Sequence, residues 1–429
     1  MRKVKVLLSL ILLTALGTTC FAAESEDLAK ENAELRQKVQ KLDNDLEELK
    51  RAIIPQDNST DTQMPKMVWS SLDIQIYGYL KLDAAYDSSR INNGNYAQWV
   101  EREDEHDNDG QFNMTANESR FGVKINGPDN GTMKTSGRAE VDFYGGGGEN
   151  KAHLMMRHAY MKLDWPDCRF NIIAGQTSDV ISPLFPSTLN YSVGWWTGNI
   201  GYRRPQIRLT KEYGLDEQTD LKIEGALTRT IGRPSVTETD SGEDSGLPTI
   251  QARASMTMPL YGPGPTVVGL SGHLGEEEYD TDPGERDFQT WSINLDVTQP
   301  VRNWLSIKGE LFTGENLDAY LGGIGQGVIT DIGELNHYEE IGSKGGWIAA
   351  SLGPWDKMRF NVGGGFDYVQ RRNVNNGDRT MNRSVFGNMY YTLNKNTEWA
   401  VELSNWQTEY RGPGDADSLR LQAALIYKF

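Results

Sequence analysis

The chain has 429 residues, of which 24% are charged, and a formal net charge of −17 at pH 7. This acidity argues against nucleic acid as a partner, because phosphate binding depends on clustered Lys and Arg. The composition does not change after residue 72, and no Pro-rich or Ser-rich linker follows that point. A single large domain is therefore expected there.

The first element is a secretory signal peptide, predicted over residues 1–22. Three cations near Met1 precede an apolar run over residues 6–16 and then small residues, with cleavage after Ala22 or Ala23. Lipid attachment at Cys20 is the less favoured alternative, because Gly17 to Thr19 do not form a lipidation motif. Cleavage would leave Cys168 as the sole cysteine and would exclude an intramolecular disulfide.

Residues 24–54 are predicted to form a periplasmic α-helical coiled coil, followed by a polar linker over 55–72. Two apolar seams repeat every seven residues. They consist of Leu28, Leu35, Leu42 and Leu49 at d, and Asn32, Val39, Leu46 and Ile53 at a. A lone charged helix is the alternative, but it would leave both seams exposed. Val and Ile at a with Leu at d favour a dimer on propensity alone.

From residue 73 to 429 the chain alternates apolar and polar residues in runs of strand length. In the last run, Leu419, Leu421, Leu425, Tyr427 and Phe429 fall on one face, and polar side chains fall on the other. A soluble sandwich strand could show this pattern once. Its repetition predicts an all-β transmembrane barrel of about 16 antiparallel strands, wide enough for an aqueous channel.

The connections between these runs alternate between short and long. Short turns are predicted at residues 127–131, 165–167, 261–265, 353–356 and 393–396, and polar loops at 88–116, 177–205, 231–247 and 315–340. Bacterial barrels keep short turns in the periplasm and long loops outside. Trp165, Trp304, Trp355 and Trp399 flank predicted strand ends, as interfacial girdles do.

Parity along the strands assigns arginines to the lumen. Arg120, Arg138, Arg169, Arg208 and Arg253 come from different strands and could line one wall as attractors for anions. The alternative is that each pairs with a neighbouring carboxylate and only stiffens the wall. In the strand that begins at Ala152, Arg157 and His158 compete for the inward face.

The loop over residues 177–205 is too long for a simple connection and ends in Arg203 and Arg204. It contains Pro183, Pro186 and the pair Trp195 and Trp196, so it can fold stiffly into the lumen and place both arginines at a constriction. The acidic loop over 88–116 resembles the first half of an EF-hand, but Ala116 replaces the bidentate Glu, so a solvated loop is expected. No catalytic, cofactor or metal motif is found, and the chain is not expected to be an enzyme.

Several segments resemble the DcaP-like trimeric porins of Gram-negative outer membranes. They are residues 77–83, 157–160, 174–177, 186–190 and 204–208, chiefly in the first half of the barrel. The resemblance implies a homotrimer in outer-membrane lipid, a periplasmic coiled coil, sixteen strands and passage of small anionic solutes such as dicarboxylates. Ser178 and Asp179 depart from the family pattern, which has an aromatic there.

The sequence therefore predicts an outer-membrane porin for passive diffusion of small hydrophilic solutes. A structural envelope protein, in which the coiled coil tethers the barrel to the periplasmic layer, is the competing hypothesis.

Overall fold

The computed structural model describes residues 72–106, 109–128, 131–146, 152–232, 240–281, 284–331, 337–370 and 374–429. The predicted signal peptide and coiled coil lie outside the described residues, as does the linker up to residue 71. Among the described residues, no helix is both long and apolar enough to cross a membrane.

The described chain is almost entirely β-strand. The strands are β1 (Asp73–Asp87), β2 (Gln111–Thr115), β3 (Arg120–Asn126), β4 (Lys134–Asp142), β5 (Met155–Trp165), β6 (Phe170–Ser178), β7 (Arg203–Gly214), β8 (Asp220–Thr228), β9 (Thr249–Met258), β10 (Thr266–Thr281), β11 (Gly284–Arg302), β12 (Leu305–Glu315), β13 (Val328–Asp331), β14 (His337–Glu340), β15 (Gly342–Trp355), β16 (Met358–Val369), β17 (Arg379–Asn394), β18 (Thr397–Tyr410) and β19 (Ala416–Lys428). The helices are short: Glu103–His106 is α-helical, and Pro166–Cys168, Asp318–Tyr320 and Gly323–Gly325 are 3₁₀.

The sheet closes on itself. One edge of β1 pairs antiparallel with β19, and its other edge pairs with β3 and β2 in turn. Since β2 and β3 are two segments of one strand, interrupted at residues 116–119, the 17 segments of this sheet form sixteen strands. The predicted antiparallel barrel of about sixteen strands is confirmed. β13 and β14 form a separate hairpin in the loop between β12 and β15.

The two faces of the barrel have opposite chemistry. On β1, Leu80 and Leu82 are 49% and 46% exposed, while Lys81 and Asp83 are each only 4% exposed. A soluble protein would bury the leucines and solvate the charges. Outward apolar side chains and inward polar ones are what a membrane barrel requires.

The connections define two ends. Each of the five predicted short turns joins two consecutive strands, and each of the four predicted long loops lies at the opposite end. Aromatic pairs lie near the short turns: Trp304 with Trp355 at 6.0 Å between ring centroids, and Tyr391 with Trp399 at 6.0 Å. These rings lie at the short-turn end of the apolar band, where aromatic girdles of membrane barrels lie.

Candidate functional site

The inward loop (residues 179–202) connects β6 to β7 and lies inside the barrel. Its backbone binds lumen-facing carboxylates from strands much later in the chain. The Leu184 N–H donates to Glu310 of β12 at 2.8 Å, and the Leu189 N–H donates to Glu402 of β18 at 2.7 Å. Carbonyl oxygens of the loop accept hydrogen bonds from Lys81, Asn382, Asn388 and Gln422, and the Val180 N–H donates to Gln251. The loop therefore crosses the lumen, as its length and its prolines predicted.

The loop is sealed against the wall formed by β15 to β18. The space between Pro186, Thr188, Trp347 and Glu402 holds a cavity of about 20 Å³, which is room for about one water molecule. The loop therefore packs closely against this wall. Its Phe185 side chain is 39% exposed.

Three arginines from neighbouring strands surround Glu140 of β4. Arg138 donates to Glu140 at 2.5 Å, and Arg157 donates to Glu140 at 2.8 Å and to Asp142 at 2.7 Å. The Nε of Arg120 lies 3.5 Å from Glu140. Three guanidinium groups thus share two carboxylates, and this arginine cluster keeps an excess of positive charge.

Arg157 faces the lumen, although the alternation in the sequence did not decide between Arg157 and His158 for the inward face. Glu140 lies opposite His158, but Val141 lies opposite Met156, so Arg157 is the extra residue of a β-bulge. Both competing side chains consequently face the lumen. The Nε2 of His158 lies 3.9 Å from Glu140, and its Nδ1 lies 3.1 Å from the hydroxyl of Thr177.

A second charged group extends along β7, β8 and β9. Arg253 donates to both oxygens of Asp296, at 3.0 and 2.7 Å, and to Glu224 at 3.2 Å. The Nη1 of Arg208 lies 3.9 Å from Glu224, and its Nε donates to Gln206 at 3.0 Å. Arg253 is 6% exposed and is held rigidly by its two carboxylates.

Arg203 and Arg204 begin β7 but have opposite environments. Arg204 is 1% exposed, with its Nε 2.8 Å from Asp179 and its guanidinium 3.9 Å from the ring centroid of Tyr320. Arg203 is 5% exposed, and its Nε and Nη2 have no hydrogen-bond partner. Its guanidinium lies over the aromatic ring of Trp195 at 5.7 Å.

Arg169 does not join these groups. It lies in the short turn between β5 and β6 with a φ of 47°, and it pairs with Asp220 at 2.7 Å and Glu212 at 3.7 Å. Its side chain is 43% exposed. Parity places it on a strand, but the backbone has already left the sheet at this residue.

The acidic external loop forms local ion pairs. Hydrogen bonds from Arg102 lower the pKa of Asp104 below its usual range, and Arg102 also lies 3.2 Å from Glu105. Asp107, which the EF-hand resemblance used, lies outside the described residues. In the described ranges, no group of three or more His, Cys, Asp or Glu side chains could hold a metal ion.

Residues 21–227 match the family model described as DcaP outer membrane protein. The resemblance to the DcaP family is confirmed. The matched residues extend through the arginine cluster and the inward loop to β8. Among curated proteins, no match to this chain was found.

Solved structures share the fold. The crystal structure of the outer membrane channel DcaP of Acinetobacter baumannii superposes with a TM-score of 0.69 at 20% identity, covering 84% of this chain and 98% of that one. An anion-selective porin from Comamonas acidovorans gives 0.54 at 12%, covering 83% and 100%. The trimer form of Vibrio cholerae OmpT gives 0.50 at 11%, covering 84% and 100%. The DcaP match and this porin fold support a location in the bacterial outer membrane.

Proposed function

We propose that the barrel is a channel for passive diffusion of small hydrophilic anions, with dicarboxylate-like solutes as the favoured class. One observation carries the proposal: guanidinium groups outnumber carboxylates around Glu140, and the lumen-facing side chains of Arg120 and Arg138 are 23% and 30% exposed. Arg120, Arg138 and Arg157 share two carboxylates, and Arg203 has two unpartnered nitrogens. The anion-selective Comamonas porin has the same fold.

The proposed mechanism needs no bound cofactor. A solute that passes the inward loop exchanges part of its hydration shell for guanidinium N–H donors, and a carboxylate gains the most from that exchange. Because these donors already have carboxylate partners, the attraction stays weak enough for the solute to leave. Arg208 and Arg253 also face the lumen, on β7 and β9, but Glu224 and Asp296 balance their charge.

We also infer that the protein assembles as a homotrimer in outer-membrane lipid, with its N-terminal coiled coil in the periplasm. Vibrio OmpT, which shares the fold, has been solved in a trimer form. The barrel contacts between protomers would set the number of copies, and the helices would follow it.

Planar-bilayer recording tests the proposal. Reversal potentials in a KCl gradient are expected to indicate anion preference, and Arg138→Gln is expected to reduce it because the charge excess at Glu140 falls. The matched control is Arg359→Gln, which neutralises a lumen-facing arginine on β16 that pairs with Glu398 at 2.7 Å. A cation preference of the wild type would refute the arginine-wall hypothesis. A reconstituted barrel without ion current would instead favour the envelope-tether hypothesis.

A further inference from the structure

The outer surface of the barrel contains a groove across β12 to β18, on the face opposite the lumen. Its volume is about 740 Å³, within the range of ligand pockets. Its sides are the exposed side chains of Leu311, Ile348, Phe366 and Val385, and two glycines, Gly346 and Gly364, form its floor. A Cβ on Gly364 would lie 2.8 Å from the Ser384 carbonyl oxygen, which is too close for a side chain. This part of the floor therefore stays open.

An arginine lies in this apolar surface. Asn382 and Ser384 both face the lumen, where they bind the inward loop, so Arg383 between them faces outward. Its cross-strand neighbours are Phe366 and Gln407. Within the described part of the chain, the side chain of Arg383 forms no hydrogen bond and no ion pair.

The height of Arg383 in the membrane follows from the strand geometry. Tyr391 lies in the periplasmic aromatic girdle beside Trp399, and Arg383 lies eight residues away on β17. At about 3.3 Å per residue and a tilt of about 40°, it is about 20 Å above the girdle. Since the apolar band is about 25 Å tall, Arg383 lies close to its outer boundary, near the lipid headgroups.

An arginine without a protein partner on a lipid-facing wall is stabilised by an anion. At the bilayer midplane it would cost about 2–4 kcal/mol, and near the interface about 0–1 kcal/mol. Lys344 faces outward two strands away, above Tyr368 at 5.5 Å, and adds a second cation. The carboxylates of Glu409 and Asp417 share this face but do not pair with Arg383. The guanidinium is therefore available to a ligand.

We propose that this groove binds a phosphorylated lipid of the outer leaflet. An acyl chain lies on Gly346 and Gly364 between Leu311 and Val385, and a phosphate accepts hydrogen bonds from Arg383. The guanidinium is opposite in charge to the phosphate, and its planar shape allows two parallel N–H hydrogen bonds to the phosphate oxygens. This inference concerns the outer wall and does not depend on the channel's solute.

The test uses native mass spectrometry of the full-length protein in detergent, titrated with bisphosphorylated lipid A and with its dephosphorylated form. Arg383→Gln is expected to weaken binding of the phosphorylated lipid about tenfold, the value of a lost charge-assisted hydrogen bond, and to leave the dephosphorylated lipid unaffected. Val385→Trp, which fills the groove, is expected to weaken both. The control Arg302→Gln removes an exposed arginine near the short-turn end and is expected to change neither.

Heat-modifiable gel mobility verifies that each variant retains its barrel. Equal binding of phosphorylated lipid by wild type and Arg383→Gln would refute the proposal. The proposal would also be refuted if Val385→Trp dissociated an oligomer and left lipid binding unchanged. The groove would then be a contact between protomers.

Discussion

At the scale of single residues, the environment of an arginine matters more than its inward orientation. Arg203 and Arg204 are consecutive and both buried, yet Arg204 is part of an ion pair and Arg203 has unpartnered nitrogens. A paired arginine fixes the loop that it touches. Arg203 has buried nitrogens without partners and, among the residues that the structure describes, no carboxylate that balances its charge, so it acts on a passing anion through its electrostatic field, at the cost of incomplete desolvation compensation.

This contrast predicts different consequences for two adjacent substitutions. Arg204→Gln leaves Asp179 buried without its cation, which is expected to destabilise the inward loop by about 3–5 kcal/mol and to make it sensitive to limited proteolysis. Arg203→Gln removes no ion pair and is expected to leave proteolysis unchanged while reducing anion preference in the reversal-potential measurement. Each variant is the control for the other. Equal proteolytic sensitivity of the two variants would contradict the assigned roles.

The sequence predicted part of this site for a definable reason. Side-chain parity identifies the inward face of a regular strand, and it placed Arg120, Arg138, Arg208 and Arg253 in the lumen. Parity fails where the backbone departs from the strand. It could not place Arg157, because a bulge in β5 shifts the alternation there.

At the scale of elements, the inward loop owes its position to partners distant in sequence. Its length and prolines predicted that it could enter the lumen, since these properties are local. Its anchors could not be predicted in the same way, because Glu402 follows Leu189 by 213 residues. Only the closed barrel brings such residues together.

Glu402 is expected to act as the main anchor of the loop. It accepts hydrogen bonds from the Thr188 hydroxyl at 2.7 Å, the Leu189 N–H at 2.7 Å and Asn388 at 2.8 Å. Glu402→Ala leaves these donors unsatisfied at about 1–3 kcal/mol each, so the loop is expected to move away from the wall. Single-channel conductance should then increase, with larger fluctuations.

The matched control for this prediction is Glu398→Ala on the same strand. Glu398 also faces the lumen but pairs with Arg359 and Lys428 instead of the loop. Its removal is expected to leave the conductance fluctuations at the wild-type level. Similar fluctuations in both variants would mean that lost lumen charge, and not loop release, causes them.

At the scale of the whole molecule, net charge and channel charge are separate quantities. The chain carries −17 overall, yet guanidinium groups outnumber carboxylates around Glu140. Composition alone would therefore suggest a cation preference, which is the opposite of the proposed one. The alternation of apolar and polar residues predicted the fold better, because every strand repeats it and a membrane barrel requires it on every strand.

Barrel closure depends on the last strand. Nine residue pairs join β1 to β19, and six of them involve residues 423–428. Phe429 adds two backbone hydrogen bonds to Gly78, both 3.1 Å. Deletion of residues 423–429 leaves three pairs and an open sheet edge in lipid, where each unsatisfied backbone group costs several kcal/mol. The truncated chain is therefore expected not to form a barrel.

Refolding into detergent micelles tests this expectation without the cellular assembly machinery. The full chain should acquire β-sheet circular dichroism and a gel mobility that changes on heating, and the truncated chain should acquire neither. Phe429→Ala is the control, because it keeps the backbone bonds to Gly78 and removes only the ring, which lies 5.9 Å from Phe121. If the truncated chain refolds like Phe429→Ala, the pairing of β1 with β19 does not determine closure. If both variants fail to refold, loss of the Phe429 ring is enough to prevent closure. The failure of the truncated chain then cannot be attributed to its six lost residue pairs.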